Sequence, residues 1–377
     1  MNRTHTLKYY PKGLVLWLPF MLFIGIILPG FLMHPRKKKT ETTPYTIEYP
    51  SYFGNRINIS PNNPLTKEGI QLGRMLFYET KLSANNKISC ATCHQQQFAF
   101  TDGKKFSTGV TGINMERNTM SLTNLLWVRH FFWDGRTGSL EEQAATPLTE
   151  AHEMGQALKV SAAKLQSSSL YPALFKQVFG TDTITGDNIT KAIAQFERTL
   201  VSVNSRYDKY LQGQYQPTAS ELNGIKLFYT NPDPAKSIRG AACGHCHGGP
   251  KTFIELFHNN GLDSIPKDKG REKLTGQPMD NGRFRVATLR NIALTAPYMH
   301  DGRFATLEAV VDHYNEHLQP SKSLSVFLKD NSNEVNGKNL KLTVEEKKDI
   351  IAFLHLLTDS SFITDKRFSN PFIEKDK

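Results

Sequence analysis

Cysteine is scarce in this chain: four in 377 residues. That excludes a disulfide-dense scaffold, which spreads many cysteines along a short sequence. Acid is missing where base is concentrated. Residues 1–40 hold seven Lys/Arg and no Asp or Glu, so behind the formal charge of +11 lies a body with 39 basic and 35 acidic residues. A body so nearly balanced gives no reason to expect nucleic acid as a partner. Strand signals are sparse, which argues against a β-sandwich or barrel and for a mainly α fold. The length allows two domains with proper cores.

One long uncharged run is present. Gly13 to Met33 covers 21 residues without a charge, preceded by Arg3, Lys8 and Lys12 and followed by Arg36 to Lys39. That length can span a bilayer, and it exceeds a usual signal-peptide core. With no clear small-residue cleavage site, the expectation is an uncleaved signal anchor over residues 1–40. The alternative is a cleaved signal and a soluble periplasmic body. No cysteine stands there for a lipid anchor.

The four cysteines fall in two copies of one motif, Cys90-Ala91-Thr92-Cys93-His94 and Cys243-Gly244-His245-Cys246-His247. Cys-x-x-Cys-His is the pattern of covalent c-type haem attachment: two thiols join the haem vinyl groups, and the adjacent His meets the iron. A disulfide pair and a zinc ribbon are the competing readings. Zinc ribbons place their pairs about 15–20 residues apart, whereas here 150 residues separate them and each pair is followed by His. Two covalently bound haem c groups are therefore expected, in a body exported to the periplasmic side of a bacterial cytoplasmic membrane.

The chain also repeats itself around these motifs. Glu68 to Tyr78 precedes the first and Glu221 to Tyr229 the second, both with helical apolar spacing. After each motif, Ser121-Leu122-Thr123-Asn124 and Thr288-Leu289-Arg290-Asn291 stand ten residues before Asp134 and Asp301. The latter lie in Asp-Gly-Arg turns that lead to Ser139-Leu140-Glu141 and Thr306-Leu307-Glu308. Ser139 with Glu142 forms a capping box, and Thr343 with Glu346 opens a late helix. The expected organisation is two tandem cytochrome-c-like mono-haem domains, 61–210 and 217–362, behind an N-terminal membrane-spanning helix and a 41–60 tether or irregular lead-in. Residues 212–218 link the two domains.

The repeats differ at one position. A helix from Thr306 puts Leu307, Val310, Val311 and Tyr314 on one face. Tyr314 is then either a core tyrosine with a satisfied hydroxyl or a ligand to the second iron. Its counterpart, seven residues after Leu140, is Pro147, which cannot ligate. Two unequal haems follow, which suggests one for chemistry and one for electrons.

The two motifs, together with Phe132-Trp133-Asp134-Gly135-Arg136, Glu153-Met154-Gly155 and Pro297-Tyr298-Met299-His300-Asp301-Gly302, resemble the bacterial di-haem cytochrome c peroxidase / MauG family over about residues 60–360. The resemblance implies a peroxidatic N-terminal haem on His94 and an electron-transfer haem on His247. It implies Gln143 and Glu153 in the distal pocket, with Glu153 moving the peroxide proton, and Trp133 between the haems. It also implies a calcium ion held by Asn118 and the carbonyls of Thr295 and Pro297. Where conventional peroxidases carry a Ser-x-Gly-His ligand, this chain reads Ser107-Thr108-Gly109-Val110. A five-coordinate first haem that needs no reductive activation is therefore expected. Where they place Met opposite the second iron, this chain has Tyr314, as in the MauG branch. Phenolate is a hard anionic donor and should lower the potential relative to Met.

The implied activity is reduction of hydrogen peroxide to water, with a small electron-donor protein (a cytochrome c or a cupredoxin) as partner. The alternative is a MauG-type enzyme that oxidises residues of a partner protein. A homodimer is compatible with both. His258, His313 and Met299 read first as structural residues, with His313 and Met299 as fallback ligands. His300 is placed near the second haem, and Lys104 and Lys105 in solvent.

Overall fold

The computed structural model describes residues 42–373. Helix α1 (Lys67–Tyr78) opens at Thr66, whose side chain accepts the Gly69 amide, and it buries Gly69, Leu72, Gly73, Leu76 and Phe77 along one stripe. The helices that follow are α2 (Cys90–Cys93), α3 (Leu140–Thr149), α4 (Leu158–Gln166), α5 (Tyr171–Phe179), α6 (Gly186–Arg198) and α7 (Arg206–Leu211). Then come α8 (Ala219–Tyr229), α9 (Glu272–Thr275), α10 (Leu307–Glu316), α11 (Val344–Leu356) and α12 (Ser360–Thr364). Strands β1 (Phe257–His258) and β2 (Phe284–Arg285) pair antiparallel and form the one sheet among the described residues. The fold is mainly α.

The helices form two like-built pairs. α1 packs on α6, and α8 packs on α11. In each pair a glycine lets the partner backbone close in. A Cβ on Gly73 would stand 1.9 Å from the Ala192 carbonyl oxygen, and one on Gly224 would stand 1.9 Å from that of Asp349. Edge-on phenyl rings seal both contacts: Phe77 on Phe196 at 5.3 Å and Phe228 on Phe353 at 4.9 Å. Gly224→Ala is accordingly expected to destabilise the fold by about 1–3 kcal/mol through overpacking. Thermal unfolding measures it, and an unchanged Tm would mean that α8 and α11 do not approach this closely.

The start of the described chain is not a tether. Phe53 is fully buried against Trp127 at 5.1 Å, Tyr49 stands edge-on to the same ring, and the Asn58 amide bonds the Leu126 carbonyl. Through these contacts the segment packs on the first core. The C-terminal segment also crosses back to that core. Phe362 and Phe368 pack on Phe100, Gln96 donates to the Phe362 and Asp365 carbonyls, and the Tyr78 hydroxyl donates to the Phe368 carbonyl. The second half thus ends as part of the first, and Lys39–Lys377 forms one compact unit.

The expected membrane-spanning helix, with the membrane partnership and membrane-anchored location drawn from it, is corrected here. Among the described residues no helix is long and apolar enough to cross a membrane. The longest, α6 and α11, have 13 residues each and reach about 20 Å, against about 30 Å of hydrocarbon. Gly13 to Met33 lies outside the described residues.

Candidate functional site

Helix α2 is a single turn that carries Cys90 and Cys93 on successive exposures of the same face, with Ser89 and Thr92 closing its N-terminus as a capping box. His94 follows as its C-cap. The His94 Nδ1–H donates to the Phe100 carbonyl at 2.8 Å, and in the second copy the His247 Nδ1–H donates to the Thr252 carbonyl at 3.1 Å. Since a carbonyl only accepts, this fixes the tautomer and leaves each Nε2 lone pair for a metal. Burial depresses both imidazole pKa values, that of His247 to about 4, against the opposing pull of those carbonyls. Both rings are neutral at pH 7, the form that ligates. Burial raises the thiol pKa of all four cysteines, that of Cys243 to about 12 and that of Cys246 to about 11.

A cavity of about 810 Å³ opens over the first motif, in the range of a cofactor site. Cys90, Cys93 and His94 line one part, and Gln143, Pro147, Glu153 and Trp133 another. α3 supplies Gln143 and Pro147, because the Ser139 hydroxyl caps it at the Glu142 amide and sets its phase. The turn after α3 supplies Glu153, pinned by the Val110 amide donating to the Glu153 carbonyl at 2.8 Å. Gly109 lines the cavity, while Val110 packs on Gly155. Burial raises the Glu153 pKa; Arg136 pulls it down and Glu150 pushes it up.

Several features fit a bound haem and its small ligand. The Gln143 Oε1 is buried with no hydrogen-bond partner. Arg285 lines the cavity, buried, with only the Phe132 carbonyl and the Met120 sulfur as partners. Its guanidinium keeps N–H groups for a carboxylate such as a haem propionate, although burial lowers its pKa to about 10. Glu197 adds a buried carboxyl whose Oε2 is unpartnered at the cavity wall, its pKa raised by burial to about 8. Sequence reading missed Arg285 and Glu197. Nothing in their sequence surroundings, Arg283-Phe284-Arg285 and Phe196-Glu197-Arg198, set them apart.

Trp133 stands between the halves. Its indole N–H donates to the Asn118 carbonyl at 2.8 Å, and its ring meets His300 edge-on at 6.5 Å. His300 is buried and stacks on Phe284 at 3.7 Å, and burial lowers its pKa to about 4. Asn118 turns its amide NH₂ to the Lys104 and Lys105 carbonyls, and its main-chain N–H donates to the His300 carbonyl at 2.7 Å. Thr295 and the cis-bonded Pro297 lie on the segment leading to His300; an amide oxygen and main-chain carbonyls are donors of the type that Ca²⁺ takes.

At the second motif, Tyr314 projects from α10, the helix capped by Thr306. Burial pushes its phenol up to about 12, opposed by the Asn260 amide and assisted by the neighbouring Cys246 and Cys243 thiols. The Asn260 Nδ2 lies 3.3 Å from the Tyr314 oxygen and 3.3 Å from the Met299 sulfur. His313 is committed elsewhere, its Nε2–H donating to the Asn260 carbonyl at 3.0 Å. His258 accepts the Ser325 hydroxyl at Nδ1 and rests edge-on to Phe327. Asn260 gave no sign in the sequence, since an Asn beside a glycine reads as a turn.

A family model described as di-haem cytochrome c peroxidase matches residues 67–216. The methylamine utilization protein MauG of Methylophilus methylotrophus is 34% identical over 297 residues, covering 78% of this chain and 84% of its own. The cytochrome c551 peroxidase of Nitrosomonas europaea is 37% identical over 262 residues, 67% of this chain and 75% of its own. The crystal structure of a MauG-like protein associated with microbial copper homeostasis matches with a TM-score of 0.78 at 36% identity, over 87% of this chain and 99% of that one.

Proposed function

This chain belongs to the MauG-like di-haem cytochrome c peroxidase family, a family of oxidoreductases with peroxide-linked redox chemistry, and from that premise we propose that it reduces hydrogen peroxide to water at the His94 site. The reaction takes two electrons and two protons per peroxide and yields two waters. Haem supplies the redox-active iron. Cys90 and Cys93 would attach the first group and Cys243 and Cys246 the second, while the Nε2 atoms of His94 and His247 would hold the irons.

The observation that carries this reading is that Gln143 and Glu153 both line the His94 cavity, one with an unpaired oxygen and the other with a raised pKa. Gln143 accepts the peroxide hydrogen and orients it. Glu153 takes a proton from one oxygen and returns it to the other, so that water leaves. Pro147 and Gly109, which line the cavity, carry no side chain that could ligate iron, and a bound haem would supply the site at which peroxide is reduced.

Electrons pass between the halves by way of Trp133, whose ring meets His300 edge-on; His300 follows Met299, whose sulfur meets the Asn260 amide that also reaches the Tyr314 oxygen. Tyr314 would be a further ligand of the iron held by His247. Calcium on Asn118, Thr295 and Pro297 would fix the carbonyl that orients the Trp133 indole. The division into domains 61–210 and 217–362 belongs to the same reading, with the C-terminal segment shared.

The electron source is a small donor protein, a cytochrome c or a cupredoxin. Mixing holoenzyme, peroxide and reduced cytochrome c is expected to oxidise two cytochromes per peroxide. Consumption of peroxide with no cytochrome oxidised would instead favour a partner protein as the reductant, the reading that the named relative MauG and the Tyr314 position support.

A further inference from the structure

Asn260 lies on a turn that the protein has made rigid. Its neighbour Asn259 is buried and donates to the Asn281 carbonyl and to the Ser321 and Ser323 hydroxyls. The Asn259 Oδ1 accepts the Gly261 amide, and its carbonyl accepts the Ser325 amide. The Asn260 carbonyl is itself fixed by His313, the residue before Tyr314. A side chain on such a mount has little freedom, and its amide has two hydrogens to give. The nitrogen that carries them lies 3.3 Å from the Tyr314 oxygen and 3.3 Å from the Met299 sulfur.

Those two acceptors are the only thioether and phenol that share one donor at this site, and both are donor types that haem iron accepts. Met299 is offered from a left-handed backbone position, φ 76°, in the turn bridged by Tyr298 and Phe304, so its sulfur is held close by the turn rather than by chance. An iron opposite His247 can take one of the two.

Resting on the reading in which Tyr314 ligates the second haem, we infer that Asn260 is the positioning residue that selects Tyr314 over Met299. An N–H donated to oxygen is a charge-assisted bond once that oxygen is anionic, and it strengthens with metal binding. An N–H donated to a thioether is weak, and it leaves the sulfur's other lone pair free. One amide thus favours the hard ligand far more than the soft one, a case of a residue beyond the ligands tuning the metal.

The test is the ferric holoenzyme of Asn260→Leu, which keeps the volume and removes both donors. Expected are a thioether-to-iron charge-transfer band, absent from the parent protein, and at least a tenfold shift of ligand preference toward sulfur. The second haem's potential should move upward, since a Met ligand favours the reduced iron. The band should vanish in Asn260→Leu/Met299→Leu, while Met299→Leu alone leaves the parent spectrum. If Asn260→Leu does not assemble both haems, Asn260→Ser is used, since its shorter arm reaches neither acceptor. An Asn260 variant with the parent spectrum and potential overturns the inference. Tyr314→Phe separates the two failures: no change in its spectrum removes the Tyr314 reading and this inference together. A change there with silent Asn260 variants removes the inference alone.

Discussion

Glu153→Gln is expected to slow peroxide cleavage by about 10²–10⁴-fold while both haems remain bound. The size follows from losing a positioned proton carrier rather than a contact, since Gln keeps the shape and cannot accept a proton. Stopped-flow spectroscopy reads the rate, and absorbance reads haem content. Retained turnover would give Glu153 another role. The pH profile makes the same point independently. Burial raises the Glu153 pKa, so the ionised form that takes the peroxide proton appears only above the ordinary carboxylate value of about 4.3. The acid limb of kcat/KM should lie above that value in the parent and be missing in the variant. Linkage gives the stability sign. A raised carboxyl pKa contributes stability that is full below the unfolded pKa and is lost as pH rises through the folded one. The Gln variant should therefore be at least as stable as the parent at neutral pH.

Replacing Tyr314 should act on the other half of the molecule. Tyr314→Phe is expected to change the spectrum of one haem and leave the first untouched, because Tyr314 neighbours Cys243 and Cys246, whereas the first cavity is lined by Cys90 and Cys93. Loss of an anionic donor should raise the second potential, and Tyr314→Met should raise it further, since a Met axial ligand favours the reduced iron. Potentiometry with optical detection separates the two haems. A Phe variant with both haem spectra intact would return Tyr314 to the core.

What could be read from the sequence had a local cause. The two Cys-x-x-Cys-His motifs are contiguous, and the capping signals at Ser139, Thr306 and Thr343 act within one turn; each of these side chains caps its helix here. The phase they set puts Tyr314 and Pro147 at matching places on α10 and α3. What stayed hidden depends on contacts far apart in the chain. Arg285 reaches Phe132 across 153 residues, Gln96 holds the C-terminal segment from 266 residues away, and Asn260 meets Tyr314 54 residues on. Length and lack of charge made Gly13–Met33 read as a membrane helix, but the described fold contains none. Residues 41–60 read as a tether or an irregular lead-in because Pro, Thr and Asn suppress periodicity; in the fold Phe53, Tyr49 and Asn58 meet the first core.

The account rests on a first site that is open to peroxide in the resting protein. Mixing fully ferric holoenzyme with one equivalent of hydrogen peroxide, with no reductant present, tests this most directly. The expected result is an immediate high-spin-to-new-species spectral change at the first haem, slowed in Glu153→Gln. A wholly low-spin ferric spectrum that responds to peroxide only after prior reduction would contradict it.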